Sequence, residues 1–287
     1  MCIRDSRTVG KATFTDWTRL GAAGWASADL AIDDSGGVEI VGVKDDGRLF
    51  TRSWHESGSF GSWTEHGSSN WDPGAKPSIA TNGSTIILSA VKDDGRLYTR
   101  TSTRFGWGAF LLHGSATWTQ ADLDLASNGD AWLIGTKNDG RLYVRTQVAG
   151  HWLGFDLQGR ATWDPTVPPS IAAHSSGAVF IATKADGSLY TRRRSNGNWL
   201  GFVLHGRGSW AAAHIDMDSE GTIALAAVKE YGALYTRIFS RGWEPWISQG
   251  RPTWSALNAP AITIGSGRPD LLGVKDTGLL YTRRLAD

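Results

Sequence analysis

Six segments of this chain each carry a Lys, a Gly three residues on and an aromatic three further: KDDGRLFTR, KDDGRLYTR, KNDGRLYVR, KADGSLYTR, KEYGALYTR and KDTGLLYTR. The lysines are Lys44, Lys92, Lys137, Lys184, Lys229 and Lys275. Between them stand six tryptophans, Trp25, Trp71, Trp118, Trp163, Trp210 and Trp254. Five residues before each Trp comes His66, His113, Gln158, His205 or Gln249, with Leu20 in the first copy. Arginine completes the set in two ways. Arg48, Arg96 and Arg141 follow the turn glycine in the first three copies, whereas the last three have Ser188, Ala233 and Leu279 there and place Arg160, Arg207 and Arg251 after the glycine that precedes the Trp.

An indole face, an ammonium, a guanidinium and an imidazole or amide are what a pyranose requires. The apolar face of the ring stacks on the indole, and its hydroxyls take directional bonds from cations and amides. Charge-assisted bonds are roughly twice as strong as neutral ones, which matters where a ligand offers little area to bury. The complementary filling of the two arginine positions predicts that the two loops meet. Each group also has a plain structural reading: the tryptophans as plugs between repeats, the lysines as solvated turn residues paired to the adjacent Asp.

The elements that position these groups follow from the spacing. Successive lysines are 48, 45, 47, 45 and 46 residues apart, a period that signals a propeller, solenoid or array. The second repeat predicts four short strands, about residues 78–80, 86–92, 96–101 and 107–112, divided by the turn signals TNGS, DDG and STRFG. Asp-Gly favours a two-residue type I′ hairpin turn, with Gly47, Gly95, Gly140, Gly187, Gly232 and Gly278 at its second position. In the last two copies Tyr231 and Thr277 replace the Asp, which predicts less favourable turns there.

Side chains alternate along a strand, so the Leu and Thr of LYTR face one neighbouring blade and the Tyr and Arg the other. An outer strand carries a ladder of aromatics, Phe14, Phe60, Trp107, Trp152, Trp199 and Trp243, then three residues later Trp17, Trp63, Phe110, Phe155, Phe202 and Trp246. Most of these read as glue between blades. The expected fold is all-β: a six-bladed β-propeller of four-stranded antiparallel blades. Residues 16–21 have the phase of an outer strand and the chain ends after a third strand, so the N-terminal segment would supply the fourth strand of blade six and remove the open edge.

Trp25, Trp118 and Trp210 lead directly into the next strand (WASADL, WTQADL, WAAAHI), whereas Trp71, Trp163 and Trp254 are followed by extra residues and a Pro (WDPGAKPSI, WDPTVPPSI, WSALNAPAI). The expected ring is therefore three copies of a two-blade unit, with two sets of three sites. Residues 1–13 read as a disordered or artefactual arm, and residues 14–287 as one propeller domain.

At these residues the chain resembles the bacterial and fungal β-propeller lectins, including the tectonin, tachylectin and fucose-binding groups, through the strand and hairpin GVKDDGRLF with its Trp-bearing connector. The resemblance covers nearly the whole chain. It implies a multivalent lectin that binds monosaccharide termini of glycans or glycoconjugates in repeated shallow sites near blade boundaries, with fucosylated, O-methylated and anionic termini all open.

Composition narrows the alternatives. Basic and acidic residues number 29 and 28, which lacks the excess of a general nucleic-acid binder, and no apolar run suggests a membrane span. The sole cysteine is Cys2 and the histidines have no metal-ligand spacing, so neither a metal nor a cofactor is expected. A sialidase or glycosidase needs a carboxylate pair or a comparable unique nucleophile. The six glutamates, Glu39, Glu56, Glu65, Glu220, Glu230 and Glu244, form no evident cluster, and the SxDxGxTW box of sialidases is absent, so no catalytic residue is expected. A propeller that binds a protein partner is the other reading, although its rim would be expected to diverge between repeats. The compartment and the oligomeric state stay open; the first residues show no signal peptide, and release or secretion is compatible with the composition.

Overall fold

The structure is a computed structural model that describes residues 24–284, other than 33–36, 56–58, 219, 257–258, 266–267 and 276–279. The described strands form six antiparallel sheets. Five hold four strand positions. The first runs Trp25–Ile32, Val38–Lys44, Leu49–His55 and an outer strand in two pieces, Ser59–Phe60 and Thr64–Glu65. The third is the most regular, with Trp118–Leu125, Ala131–Lys137, Leu142–Val148 and an unbroken outer strand, His151–Leu157. A sixth sheet holds three strands, Ala261–Gly265, Arg268–Val274 and Leu280–Arg284. This is an all-β propeller with four-stranded antiparallel blades. The fourth position of the sixth sheet, expected to be filled from residues 16–21, lies outside the described residues, as do Phe14, Trp17 and Leu20.

Among the described residues no blade has a core of its own. The apolar clusters each bridge two neighbours: Val41, Val43 and Leu49 of blade one pack with Trp71, Ile79 and Leu88 of blade two, and the same mixing recurs around the ring. A sheet buried on both faces needs apolar residues on both sides of its second strand, and Ile87, Leu88, Ala90 and Val91 meet that need in blade two. Blade two spans Ser78–Thr81, Ile86–Val91, Leu97–Thr103 and a broken outer strand, Gly106–Trp107 and Leu111–Leu112, close to the boundaries its turn signals predict.

The hairpin turn differs from the expectation. Gly47 N–H bonds to Lys44 C=O and Lys44 N–H to Arg48 C=O, which makes a three-residue turn whose glycine alone is left-handed, at φ 77°. A type I turn followed by such a glycine tolerates most side chains before it. Tyr231 is therefore accommodated beside Gly232, and losing the Asp carries no conformational penalty there. The two-residue turns with both residues left-handed lie at the opposite ends of the blades, at Ala149–Gly150 and Asn196–Gly197.

The alternation of connectors is built into the backbone. Trp25, Trp118 and Trp210 open eight-residue inner strands, paired with Lys44, Lys137 and Lys229. Trp71, Trp163 and Trp254 make only isolated bridges to Lys92, Lys184 and Lys275 before their strands begin at Ser78, Ser170 and Ala261. The short class enters its Trp through a left-handed residue, Gly24, Thr117 or Ser209, at φ 94°, 100° and 64°. For a β-branched Thr that is a strained conformation held by its surroundings.

The inner strands leave N–H groups facing the axis, and side chains from the adjacent blade bond to them. Asp122 accepts from Ile171 N–H at 2.9 Å, Asp124 from Ala173 at 2.8 Å and Asp216 from Ile264 at 3.0 Å. Burial pushes the Asp124 carboxyl up to about 7, helped by the charge of Asp216. Burial would raise Asp29 as well, but Lys76, 2.8 Å away in the first long connector, brings it down to about 2.

Candidate functional site

The two loops expected to meet do so. Gly47 C=O accepts the N–H groups of both Asn70 and Trp71, and Gly140 C=O that of Trp163. Each turn also reaches the connector before its own blade, through Asp93 N–H to Asn70 C=O and Ala185 N–H to Thr162 C=O. The glycine side of a turn thus carries the connector that follows it. This assigns both the turn of Arg141 and Arg160 to the connector between blades three and four, so the arginines are not distributed one per joint. Arg48, Arg96 and Arg141 pair with aspartates of their own turns, Asp46, Asp94 and Asp139, at 2.8, 3.0 and 3.2 Å. Arg160, Arg207 and Arg251 are exposed.

The tryptophans are not open platforms. Trp71, Trp118, Trp163 and Trp210 are 1 to 4% exposed, and Trp25 and Trp254 are half-buried. The Trp71 ring has Phe110 tilted against it at 5.0 Å and the Lys92 ammonium 4.7 Å from its centroid. The other lysines repeat this placement, Lys44 over Trp25, Lys137 over Trp118, Lys184 over Trp163, Lys229 over Trp210 and Lys275 over Trp254, at 5.2 to 3.9 Å. In the long class the ammonium also donates to the residue before the Trp: Asn70, Thr162 or Thr253. In the short class Lys229 donates to Gly208 C=O instead. The tryptophans thus sit as the plugs between repeats, whereas the lysines are half-buried partners of the indoles rather than solvated turn residues.

His66, His113, Gln158, His205 and Gln249 are buried as well. His66 Nε2 lies 2.6 Å from Thr51 Oγ1 of its own blade, and His66 Nδ1 lies 2.8 Å from Arg100 Nη1 of the next. The same bridge joins Thr99, His113 and Arg145, and Thr191, His205 and Arg237. Gln158 Oε1 takes its place before Arg192, at 2.8 Å. Burial, and then the neighbouring guanidinium, lowers His66 to about 4 and His113 and His205 to about 3.

What remains partly exposed is a set of side chains at the blade boundaries that strand alternation assigned to packing. The LYTR arginine of each complete blade lies against the two aromatics of its own outer strand. Arg100 stands 5.9 Å from the Trp107 ring and 4.9 Å from Phe110, Arg145 5.7 and 5.0 Å from Trp152 and Phe155, Arg192 5.7 and 4.7 Å from Trp199 and Phe202. Arg52 and Arg237 repeat the arrangement with Phe60 and Trp63, and with Trp243 and Trp246. Each Nε is held by an outer-strand carbonyl, that of Gly61, Gly108, Leu153, Leu200 or Glu244. The aromatics are half-buried and Phe202 is exposed, so a fixed guanidinium stands between partly exposed rings at each of these boundaries. The invariance of Arg in LYTR and LYVR was visible in the sequence; its alternation along the strand concealed that it faces an open boundary. Among the described residues no group of three His, Cys, Asp or Glu could hold a metal ion.

No protein-family model and no curated protein matches this chain. Solved structures do. The fold is similar to that of the BP39L lectin of Burkholderia pseudomallei, with a TM-score of 0.82 at 17% identity over 97% of this chain and 87% of that one. It is also similar to the Aleuria aurantia lectin, described as having a six-bladed β-propeller fold and a novel fucose recognition mode, at a TM-score of 0.62, 12% identity and 91% coverage of both chains. AofleA from Arthrobotrys oligospora aligns with a TM-score of 0.63 at 12% identity, over 91% of this chain and 82% of that one. The chain has the propeller fold of these lectins.

Proposed function

We propose that this protein is a multivalent lectin that binds terminal monosaccharides of glycans in grooves at the blade boundaries, each walled by the outer-strand aromatics and the LYTR arginine of one blade and the His or Gln of the blade before. The observation that carries the reading is the repeated guanidinium, immobilised by a carbonyl and a neighbouring blade and flanked by partly open rings. A sugar can stack on the ring surface while the guanidinium, which only donates, bonds its oxygens. The Trp and His or Gln residues, with the half-buried Lys over each indole, then act as the rigid wall behind the groove, with Arg96, Arg160 and their counterparts at its rim. Likeness to lectins of the same fold supports the reading, and Aleuria aurantia lectin bound to α-methyl-L-fucoside makes fucosylated termini the first to try. Rim cations make anionic termini the second.

The ring of this reading has six blades, the last completed by residues 16–21; the Aleuria aurantia lectin of similar fold is described as six-bladed. The glycan array is the direct test of function. Binding to a coherent set of terminal sugars is the expected outcome; an array without hits, alongside hydrolysis of a chromogenic glycoside, would replace lectin by glycosidase. A protein-binding propeller is favoured by one observation, the exposed Leu111, Leu112, Leu153, Leu157, Leu200 and Leu204 on the outer strands.

A further inference from the structure

The boundary grooves are built alike but not filled alike. One outer-strand position lies opposite the third residue of the LYTR segment in every complete blade: Thr64 opposite Thr51, Leu111 opposite Thr99, Asp156 opposite Val144, Val203 opposite Thr191 and Ile247 opposite Thr236. Among these five described positions only that of the third blade carries a carboxylate. Asp156 is exposed, and its Oδ2 lies 3.4 Å from Nε1 of Trp199, the indole that flanks Arg192 in the next blade. Burial lowers the Arg192 guanidinium and the Asp156 charge acts on it in the opposite sense, so the two groups share one electrostatic environment. Their separation leaves them unpaired with each other: Arg192 Nη1 goes to Gln158 and its Nε to Leu200 C=O.

A carboxylate only accepts hydrogen bonds and a guanidinium only donates them. A hydroxyl is the group that can satisfy both at once, by donating to the first and accepting from the second. A neutral sugar with adjacent hydroxyls therefore finds both halves of its requirement in this groove. At the equivalent positions Leu111, Val203 and Ile247 offer it no acceptor.

Resting on the lectin reading, we propose that Asp156 makes the groove between blades three and four the principal site for neutral monosaccharides, with Asp156 as the acceptor and Arg192 as the donor for a hydroxyl pair, while the grooves of Arg145 and Arg237, which have Leu111 and Val203 at the equivalent position, bind such sugars weakly. The lectin built on this ring is then unequal in its sites, with one strong groove among weaker ones, rather than divided into two sets of three.

The test is calorimetric titration of the full chain with methyl α-L-fucoside, methyl α-D-mannoside and methyl β-D-galactoside. The unaltered chain is expected to show a single strong site for at least one of them. Asp156→Asn keeps the shape of the side chain and removes its charge, and the strong site should weaken by about tenfold or more, the worth of a charge-assisted hydrogen bond. Val203→Asp, placed beside Arg237, should add a second strong site, a gain that no folding defect can imitate. Unchanged binding in both variants overturns the assignment of Asp156 and leaves the lectin standing. Failure of the unaltered chain to bind these glycosides or any glycan on the array overturns the lectin reading, and this inference with it.

Discussion

Arg100 Nη1, in the second blade, meets His66 Nδ1, in the first, at 2.8 Å. A guanidinium has no acceptor, so Nδ1 must accept, the imidazole proton sits on Nε2, and Nε2 donates to Thr51 Oγ1 at 2.6 Å. One neutral imidazole thereby ties the third strand of its own blade to the third strand of the next.

That neutrality makes the ring acid-sensitive. His66, His113 and His205 titrate at about 4, 3 and 3 in the folded chain, below the ordinary 6.5, so the unfolded chain binds more protons throughout the interval between. The stability they contribute is complete above pH 6.5 and is lost as the pH falls to about 4 for His66 and about 3 for His113 and His205, by about 1–2 kcal/mol per imidazole at pH 5. Gln158 accepts from Arg192 of the next blade without titrating, its Nε2 donating to Asp156 C=O, so His113→Gln should fold at pH 7 within about 1 kcal/mol of the parent and lose less on acidification. Urea denaturation at pH 7, 6 and 5 measures both slopes; parallel slopes would refute the bridge.

Trp118 and Lys137 should separate in stability. Trp118→Ala removes an indole that is 3% exposed and should cost about 3–5 kcal/mol. Lys137→Ala removes a half-buried side chain whose ammonium lies 4.9 Å from the ring centroid, at about 0.5–2 kcal/mol. Chemical denaturation of each variant reads the difference, and equal losses would contradict the burial of the indole.

Gly187 should tolerate no side chain. Its φ is 74°, and a Cβ there would stand 2.5 Å from the Ser209 backbone nitrogen. Gly187→Ala is expected to lower the denaturation midpoint by more than the roughly 1 kcal/mol of an ordinary left-handed alanine. Gly154→Ala, where a Cβ meets open space, is the control that should change little.

The proposed closure can be tested by truncation. If residues 16–21 complete the three-stranded sixth sheet, deleting residues 1–21 exposes a strand edge and should sharply lower thermal stability or solubility, whereas deleting residues 1–10 should not. Identical melting of the two truncated chains would rule the closure out.

The sequence by itself determined the repeat, the all-β class and most strand boundaries, because a 45 to 48-residue period and its turn glycines are local signals that survive without any knowledge of neighbours. It also determined the two connector classes, since the extra residues after Trp71, Trp163 and Trp254 can be counted directly. Which side of a strand a residue occupies was legible too, from alternation. What covers that side was not. Trp71 and Trp107 look alike in the sequence, yet Trp71 is sealed by Phe110 and Lys92 while Trp107 stays half-buried beside Arg100. His66 looked like a rim residue until the next blade supplied Arg100 to bury it. Burial and openness belong to the fit of one blade against another, 30 or more residues away in the chain, and only the tertiary structure brings those surfaces together.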